Sequence, residues 1–249
     1  MVQYKPLPSP LTEDDLPETD NQPVDNELQV LIPILLRAIL ALLWAEQMDW
    51  FLGVNLGLYY DPNLPAIGPD GFLSLGVPRY KSQRGRLSYV VAQENNIVPQ
   101  WVLEVVSKTP GDEYTDKLAT YAQIGVLYYT IYNPDYWQRD KHDSFEVYQL
   151  VKGKYVRQSG NSIWMPELRL GIGRELGTHG GWTREWLYWY DEQESRHPAP
   201  EDVIEQERQL RSQAEQIAEQ ERQARFQAEQ QLQQLLERLR QQGIDPDEL

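Results

Sequence analysis

Residues 99–134 read PQWVLEVVSKTPGDEYTDKLATYAQIGVLYYTIYNP. Trp101 to Val106 is a short β-branched and aromatic run, closed off by Pro99 on one side and by Lys108-Thr109-Pro110-Gly111 on the other, and it predicts a strand. Side chains alternate along a strand, so Val102, Glu104 and Val106 share one face and Trp101, Leu103 and Val105 share the other. Glu104 is thus a single carboxylate among apolar neighbours. Such a group is costly unless it is paired, hydrogen-bonded or bound to a cation.

A helix is predicted next, from about Glu113 to Ile124. Asp112 is placed as its N-cap, and Glu113 and Asp116 put negative charge in its first turn. Glu113, Lys117, Tyr121 and Ile124 fall on one face, with Leu118, Tyr121 and Ala122 as packing residues. Gly125 ends it in the left-handed manner. Val126 to Tyr132 is an almost unbroken apolar and aromatic run, as expected of an inner strand covered on both faces. Strand, helix and strand at this spacing predict a crossover unit. The start of that helix brings Lys117 toward Glu104.

The phrase LEVVS, followed by EYTDK and YAQIGVLYY, resembles the putative restriction endonuclease family of cyanobacteria, part of the PD-(D/E)XK nuclease superfamily. Pro69-Asp70 supplies the PD. The resemblance covers roughly residues 26–174, and its most specific feature is the spacing from Asp70 to Glu104 to Lys117. It implies an α/β fold: a restriction-endonuclease-like mixed sheet flanked by helices, here extended by a long C-terminal helix. It also implies a Mg2+-dependent (or Mn2+-dependent) endonuclease acting on DNA. Asp70 and Glu104 would be metal ligands, the Val105 carbonyl a third, and Lys117 the companion of the attacking water. The chain departs from the family pattern at Val106, where a lysine would stand two residues after the strand acid. Lys117 is the candidate replacement, and Lys108 the weaker one. Accessory roles fall to Glu113, which shares the Lys117 face, to Glu27 in the first helix, and to Ser107, which caps the connection or orients Glu104.

Each of these residues also has an ordinary structural role open to it. An Asp in a Pro-Asp-Gly turn commonly serves the turn, and a Glu–Lys pair four apart on a helix is commonly a surface pair.

The chain has 249 residues and a net charge of −15. The charge disfavours metal-free binding to phosphate backbones, which relies on Lys and Arg, but not an enzyme whose metal offsets local charge. With no cysteine, disulfides, thiolate metal sites and a thiol nucleophile are excluded. His142, His179 and His197 have no ligand spacing. No secretory leader is visible, so a cytoplasmic location is expected.

In chain order, residues 1–25 are rich in Pro, Asp and Glu and predict an acidic disordered arm. The globular domain is expected over 26–190. Asn26 to Trp44 is strongly apolar and reads as a buried helix, capped by Asp25 or Asn26. Pro33 and Arg37 argue against a membrane span. Trp50 to Tyr60 predicts a strand or hairpin, and Gly68 to Gly71 a turn leading into Phe72–Leu75. Arg79 to Arg86 (RYKSQRGR) is the one dense basic patch, and Leu87 to Glu94 a strand or a lid-like segment. Phe145–Leu150 and Lys154–Gln158 form a hairpin around Lys152-Gly153, and residues 166–173 a final strand or turn. Trp182 to Tyr190 (WTREWLYWY) is either a strand packed on the sheet or a platform for stacking bases. Residues 191–200 predict a polar linker.

Residues 201–242 hold Gln, Glu, Arg, Ala and Leu without Gly or Pro. Val203, Leu210, Ala214, Ile217, Ala224, Ala228 and Leu235 take heptad seam positions, interrupted by Glu207, Glu221 and Gln231. Leu232, Leu236 and Leu239 are offset as by a stutter. This coiled-coil-like helix, ended by Gly243 and Pro246, points to a homo-oligomer or a partner helix; a solvated single helix is the alternative. A second function of a different class is therefore open: a nuclease-fold interaction module, weak or inactive in catalysis, acting through that helix.

Overall fold

In the computed structural model, which describes residues 26–109 and 111–241, the elements run in this order. They are α1 (Leu28–Leu43), β1 (Trp50–Val54), β2 (Leu58–Tyr59), β3 (Gly71–Leu75), β4 (Tyr89–Val90), β5 (Trp101–Val105), α2 (Asp116–Ile124) and β6 (Tyr128–Tyr132). Then come α3 (Trp137–Asp140), β7 (Phe145–Val151), β8 (Lys154–Arg157), β9 (Ser162–Met165), β10 (Leu170–His179), β11 (Trp182–Tyr190) and α4 (Pro200–Gln241). The expected acidic arm and the stop at Gly243 and Pro246 lie outside the described residues.

A mixed six-stranded sheet carries the order β1-β3-β5-β6-β7-β8. Within it only β5 and β6 pair in parallel, with Glu104 opposite Ile131, so the unit predicted from residues 99–134 is present. The glycine-ended helix is there too: Gly125 takes a left-handed conformation at φ 90° and its N–H closes the last turn.

The alternation along β5 separates two cores. Trp101, Leu103 and Val105 pack with α1 and with the three-stranded sheet β11-β10-β9. Val102 and Val106 pack with Tyr121 of α2 and with Tyr129 and Ile131 of β6. Glu104 lies on this second face. Trp101 and Trp189 meet edge to face at 4.9 Å. Both indole N–H groups are satisfied, on Thr130 Oγ1 and on the Leu36 carbonyl, as buried donors must be.

Several boundaries differ from the sequence expectations. Residues 50–60 form no hairpin: β1 pairs with β3, while β2 pairs with β4 in a separate two-stranded sheet. Val126 is buried but lies outside the strand, which begins at Tyr128. The aromatic run 182–190 is one arm of a long hairpin with β10, in register from Gly171–Tyr190 to His179–Trp182. Its turn is Gly180-Gly181, with φ of 58° and 80°, the pair of positive φ values that a two-residue hairpin loop requires. Trp186, Leu187 and Trp189 are fully buried, so this run is a packed strand and not a base-stacking platform. The expected linker folds back on β11: Asp191 accepts turn hydrogen bonds, His197 N–H bonds to the Trp189 carbonyl, and Ala199 is buried.

The chain divides into two compact units, one ending at Ala199 and one beginning at Pro200. The second contains α4, a single helix of 42 residues, about 63 Å long at the usual rise. Glu201 and Asp202 lie in its first turn and Arg238 and Arg240 in its last, which complements the helix dipole. None of its residues is buried.

Candidate active site

The parallel pairing of β5 with β6 and the antiparallel pairing of β5 with β3 bring the ends of three elements together. Gly71 faces Leu103 in the β3–β5 register; one step further, Asp70 lies across from Glu104. Asp70 is buried, and its Oδ2 accepts the Val105 N–H at 2.7 Å. The Val105 carbonyl accepts the Gln29 amide at 3.2 Å. The peptide groups flanking Val105 are thus held by two side chains from distant parts of the chain.

Gln29 is itself fixed by the way α1 begins. Asn26 Oδ1 accepts the N–H groups of Leu28 and Gln29, and Gln29 Oε1 accepts the Asn26 N–H, a reciprocal capping box. Asn26, one of the two expected caps, therefore serves. Pro33 has no N–H to offer the carbonyl four residues before it. That carbonyl, of Gln29, receives Asn55 Nδ2 at 3.4 Å instead, while the Asn55 N–H bonds to the Asp70 carbonyl. Pro33 also explains Gly71: a Cβ there would come within 2.9 Å of Pro33 Cβ. The Pro-Asp-Gly turn is shaped by the approach of α1.

Glu104 is 2% exposed. Its Oε2 accepts Lys117 Nζ at 2.7 Å, and its Oε1 accepts the Tyr121 hydroxyl at 2.6 Å. Lys117 and Tyr121 lie four apart on α2, so one helix face delivers both donors. Burial pushes the Glu104 carboxyl above its ordinary value, against the pull of Lys117 and Tyr121. Asp70 is raised further, by burial first and then by the Glu104 charge, with the Val105 N–H opposing. Burial works against a charged Lys117, but the Glu104 carboxylate holds it above its usual range, helped by Asp70 and Glu113. Burial and Glu104 together push the Tyr121 hydroxyl well up, so it acts as a donor.

The sequence-predicted residues sort clearly. Asp70, Glu104, Lys117 and Val105 come together. Glu113 is buried nearby, but the helix begins at Asp116 and not at Glu113. Asp112 is not its N-cap; its carbonyl accepts the N–H groups of Thr115 and Lys117 within a turn. Glu113 therefore sits in this turn, not on the Lys117 helix face. In its present position its carboxylate lies where a Cβ at Gly111 would stand, and its carbonyl accepts the Tyr129 hydroxyl. Ser107 caps the connection, its hydroxyl donating to the Thr109 carbonyl. Arg139 of α3 holds the Lys108 carbonyl at 2.6 Å, and Lys108 itself is exposed. Glu27 is exposed at the start of α1, its carbonyl spent on the first helical N–H groups. The residue of α1 that reaches the site is Gln29. Neither Gln29 nor Tyr121 was legible as a site residue: helical spacing placed Tyr121 on the Lys117 face but counted it among the packing residues.

A sequence model of the Uma2 family, described as "Putative restriction endonuclease", matches residues 21–178. The chain belongs to this family. The matched residues contain every strand of the six-stranded sheet and every residue of the site, whereas α4 lies beyond them. No curated protein matches the chain. The Uma2 description is that of a nuclease.

Among the described residues, no group of three or more His, Cys, Asp or Glu is gathered to hold a metal ion. Asp70 and Glu104 supply two carboxylates, the number with which a hard, largely hydrated cation can be held. Mg2+ binds in this way, through one or two carboxylates. Burial disfavours the charge on both carboxyls, and Glu104 pushes Asp70 up further, a repulsion that a cation would relieve. In the basic patch four cations share one buried acid, and Arg84 is exposed. Arg86 and Lys81 both pair with the buried Glu94, at 2.9 and 3.3 Å, and Arg79 stacks over Trp50. No described helix is long and apolar enough to cross a membrane.

Proposed function

We propose that this Uma2 protein is a Mg2+-dependent (or Mn2+-dependent) DNA endonuclease hydrolysing phosphodiester bonds, with Asp70, Glu104 and Lys117 as its catalytic set. The observation that carries this reading is the junction at the end of β5. There the buried carboxylates of Asp70, in the turn before β3, and of Glu104, in β5, meet a lysine supplied by α2. Asp70 and Glu104 would hold the cation, with the Val105 carbonyl as a third oxygen once Gln29 shares it. The ion would supply Lewis acidity toward a phosphoryl oxygen and a more acidic bound water. Among the described residues, Lys117 is the cation that bonds Glu104, and its side chain is 30% exposed. It can turn from Oε2 to an incoming phosphate oxygen or to the attacking water. Tyr121 keeps Glu104 in place while Lys117 does so. Glu113 adds negative charge that holds Lys117 protonated.

Nicking of supercoiled plasmid in Mg2+ or Mn2+ tests the assignment. Wild type cleaves. Lys117→Ala retains metal binding by calorimetry and loses cleavage; Glu104→Gln loses both. Equal rates for wild type and both variants sink the assignment.

One observation favours the second reading, an interaction module in the nuclease fold. Both Glu104 oxygens already have donors within the chain, so the site is self-satisfied without a metal. Wild type that binds no divalent ion and cuts no duplex or single strand would make this the better account.

A further inference from the structure

We propose that α4 pairs with α4 of a second copy of this chain, antiparallel and overlapping along its full length. Ile204, Leu210, Ile217, Phe226, Leu232 and Leu235 of α4 are all about half exposed or more. Among the described residues the stripe therefore has no cover.

Two independent features of the helix select the occupant and its direction. The first is spacing. Once the stutter after Ala228 is allowed for, the four outer seam positions on each side fall 7, 11, 14 and 18 residues from Glu221, while the innermost pair, Ile217 and Ala224, falls at 4 and 3. A helix with such a palindromic stripe meets its own reverse in register. Val203 then faces Leu239, Leu210 faces Leu232, and Ala214 faces Ala228. Glu207 faces Leu235 and Ile217 faces Arg225, two polar breaks besides Glu221 itself. Glu221 lies at the twofold axis, with Arg222 of the partner subunit and Arg225 of the partner subunit within about one turn.

The second feature is charge. Residues 200–221 carry seven acids and two arginines, and residues 222–241 carry two acids and four arginines. Antiparallel pairing sets the acidic half on the basic half. Parallel pairing sets seven acids on seven, which costs stability at low salt. The helix dipoles also oppose favourably only in the antiparallel pair. An unrelated helix would need neither symmetry. The inference is independent of the nuclease chemistry.

The chain has no cysteine, so introduced thiols report the geometry in the full-length protein. Ala214→Cys and Ala228→Cys are made separately, and both sites are small and exposed. In the antiparallel pair, two copies of the Ala214→Cys variant place their thiols about 21 Å apart along the axis, far beyond disulfide reach. The same separation holds between two copies of Ala228→Cys. Only a pair made of one copy of each variant sets thiol against thiol. Under oxidation, the mixture of the two variants should give a covalent species of twice 29.1 kDa, and each variant alone should not. High salt should lower the yield several-fold. A disulfide formed by either variant alone means parallel pairing and overturns the proposal. So does a wild-type chain that sediments as a monomer, or as a dimer whose variant mixture does not cross-link.

Discussion

Replacing Lys117 by Met leaves the Glu104 carboxylate buried with the Tyr121 hydroxyl as its one remaining donor. Removing one partner of a fully buried ion pair costs about 3–5 kcal/mol. Here Nζ sits 2.7 Å from Oε2, but the lysine side chain is 30% exposed against 2% for Glu104. Solvent screening of the lysine and the surviving Tyr121 bond reduce the expected loss to about 2 kcal/mol at pH 8. The pH dependence has a definite sign. Glu104 already sits above its ordinary value because burial disfavours its charge, and without Lys117 it rises further. A carboxyl raised in the folded state contributes stability below its unfolded value, and that contribution is lost as pH rises through the folded value. The variant should therefore nearly match wild type at about pH 4, where the acid is protonated, and fall progressively behind toward pH 8. Urea unfolding in chelator, followed by tryptophan fluorescence, measures this. All eight tryptophans precede Pro200, so the melting of α4 is silent. Saturating Mg2+ should narrow the gap by replacing the missing charge. A loss under about 0.5 kcal/mol at pH 8, or the same loss at both pH values, refutes the reasoning.

Tyr121→Phe keeps the ring among Val102, Tyr129 and Ile131 but removes the donor to Glu104; it should cost about 1–2 kcal/mol, and an unchanged urea midpoint contradicts that. Asp70→Asn can still accept the Val105 N–H and no longer repels Glu104. Metal-free protein should therefore melt about 2 °C or more higher at neutral pH while losing Mg2+ binding, and a lower melting temperature counts against the like-charge account. Gly71→Ala drives a Cβ into Pro33 and should destabilise by about 1–3 kcal/mol, read by thermal melting; a neutral result means that α1 can retreat from β3.

The crossover unit could be read from residues 99–134 because its signals are local. A β-branched run, a glycine after a helical stretch and an aromatic strand each act through nearest neighbours and period, and so does the alternation that put Glu104 opposite Trp101 and Leu103. The long helix at the end of the chain was equally legible, since a Gly- and Pro-free run of that length and composition has no other regular form. The carboxylates and the lysine were found through their order along the chain, which the resemblance supplied.

What tertiary structure alone decided was who satisfies whom. Tyr121 looked like a packing residue because helical spacing cannot tell which ring carries a hydroxyl into a buried acid. Gln29 reaches Val105 across 76 positions of sequence, and its carbonyl takes Asn55 where the proline one helical turn later has no N–H to give. Glu113 left the helix because the Asp112 carbonyl closed a turn first. Residues 182–190 became a strand, buried from Trp186 to Tyr190, because β10, running into Gly180-Gly181, gave them a partner and α1 gave them a core. In most of these cases the deciding contact joins groups far apart in the chain, and local period and propensity carry no record of such contacts.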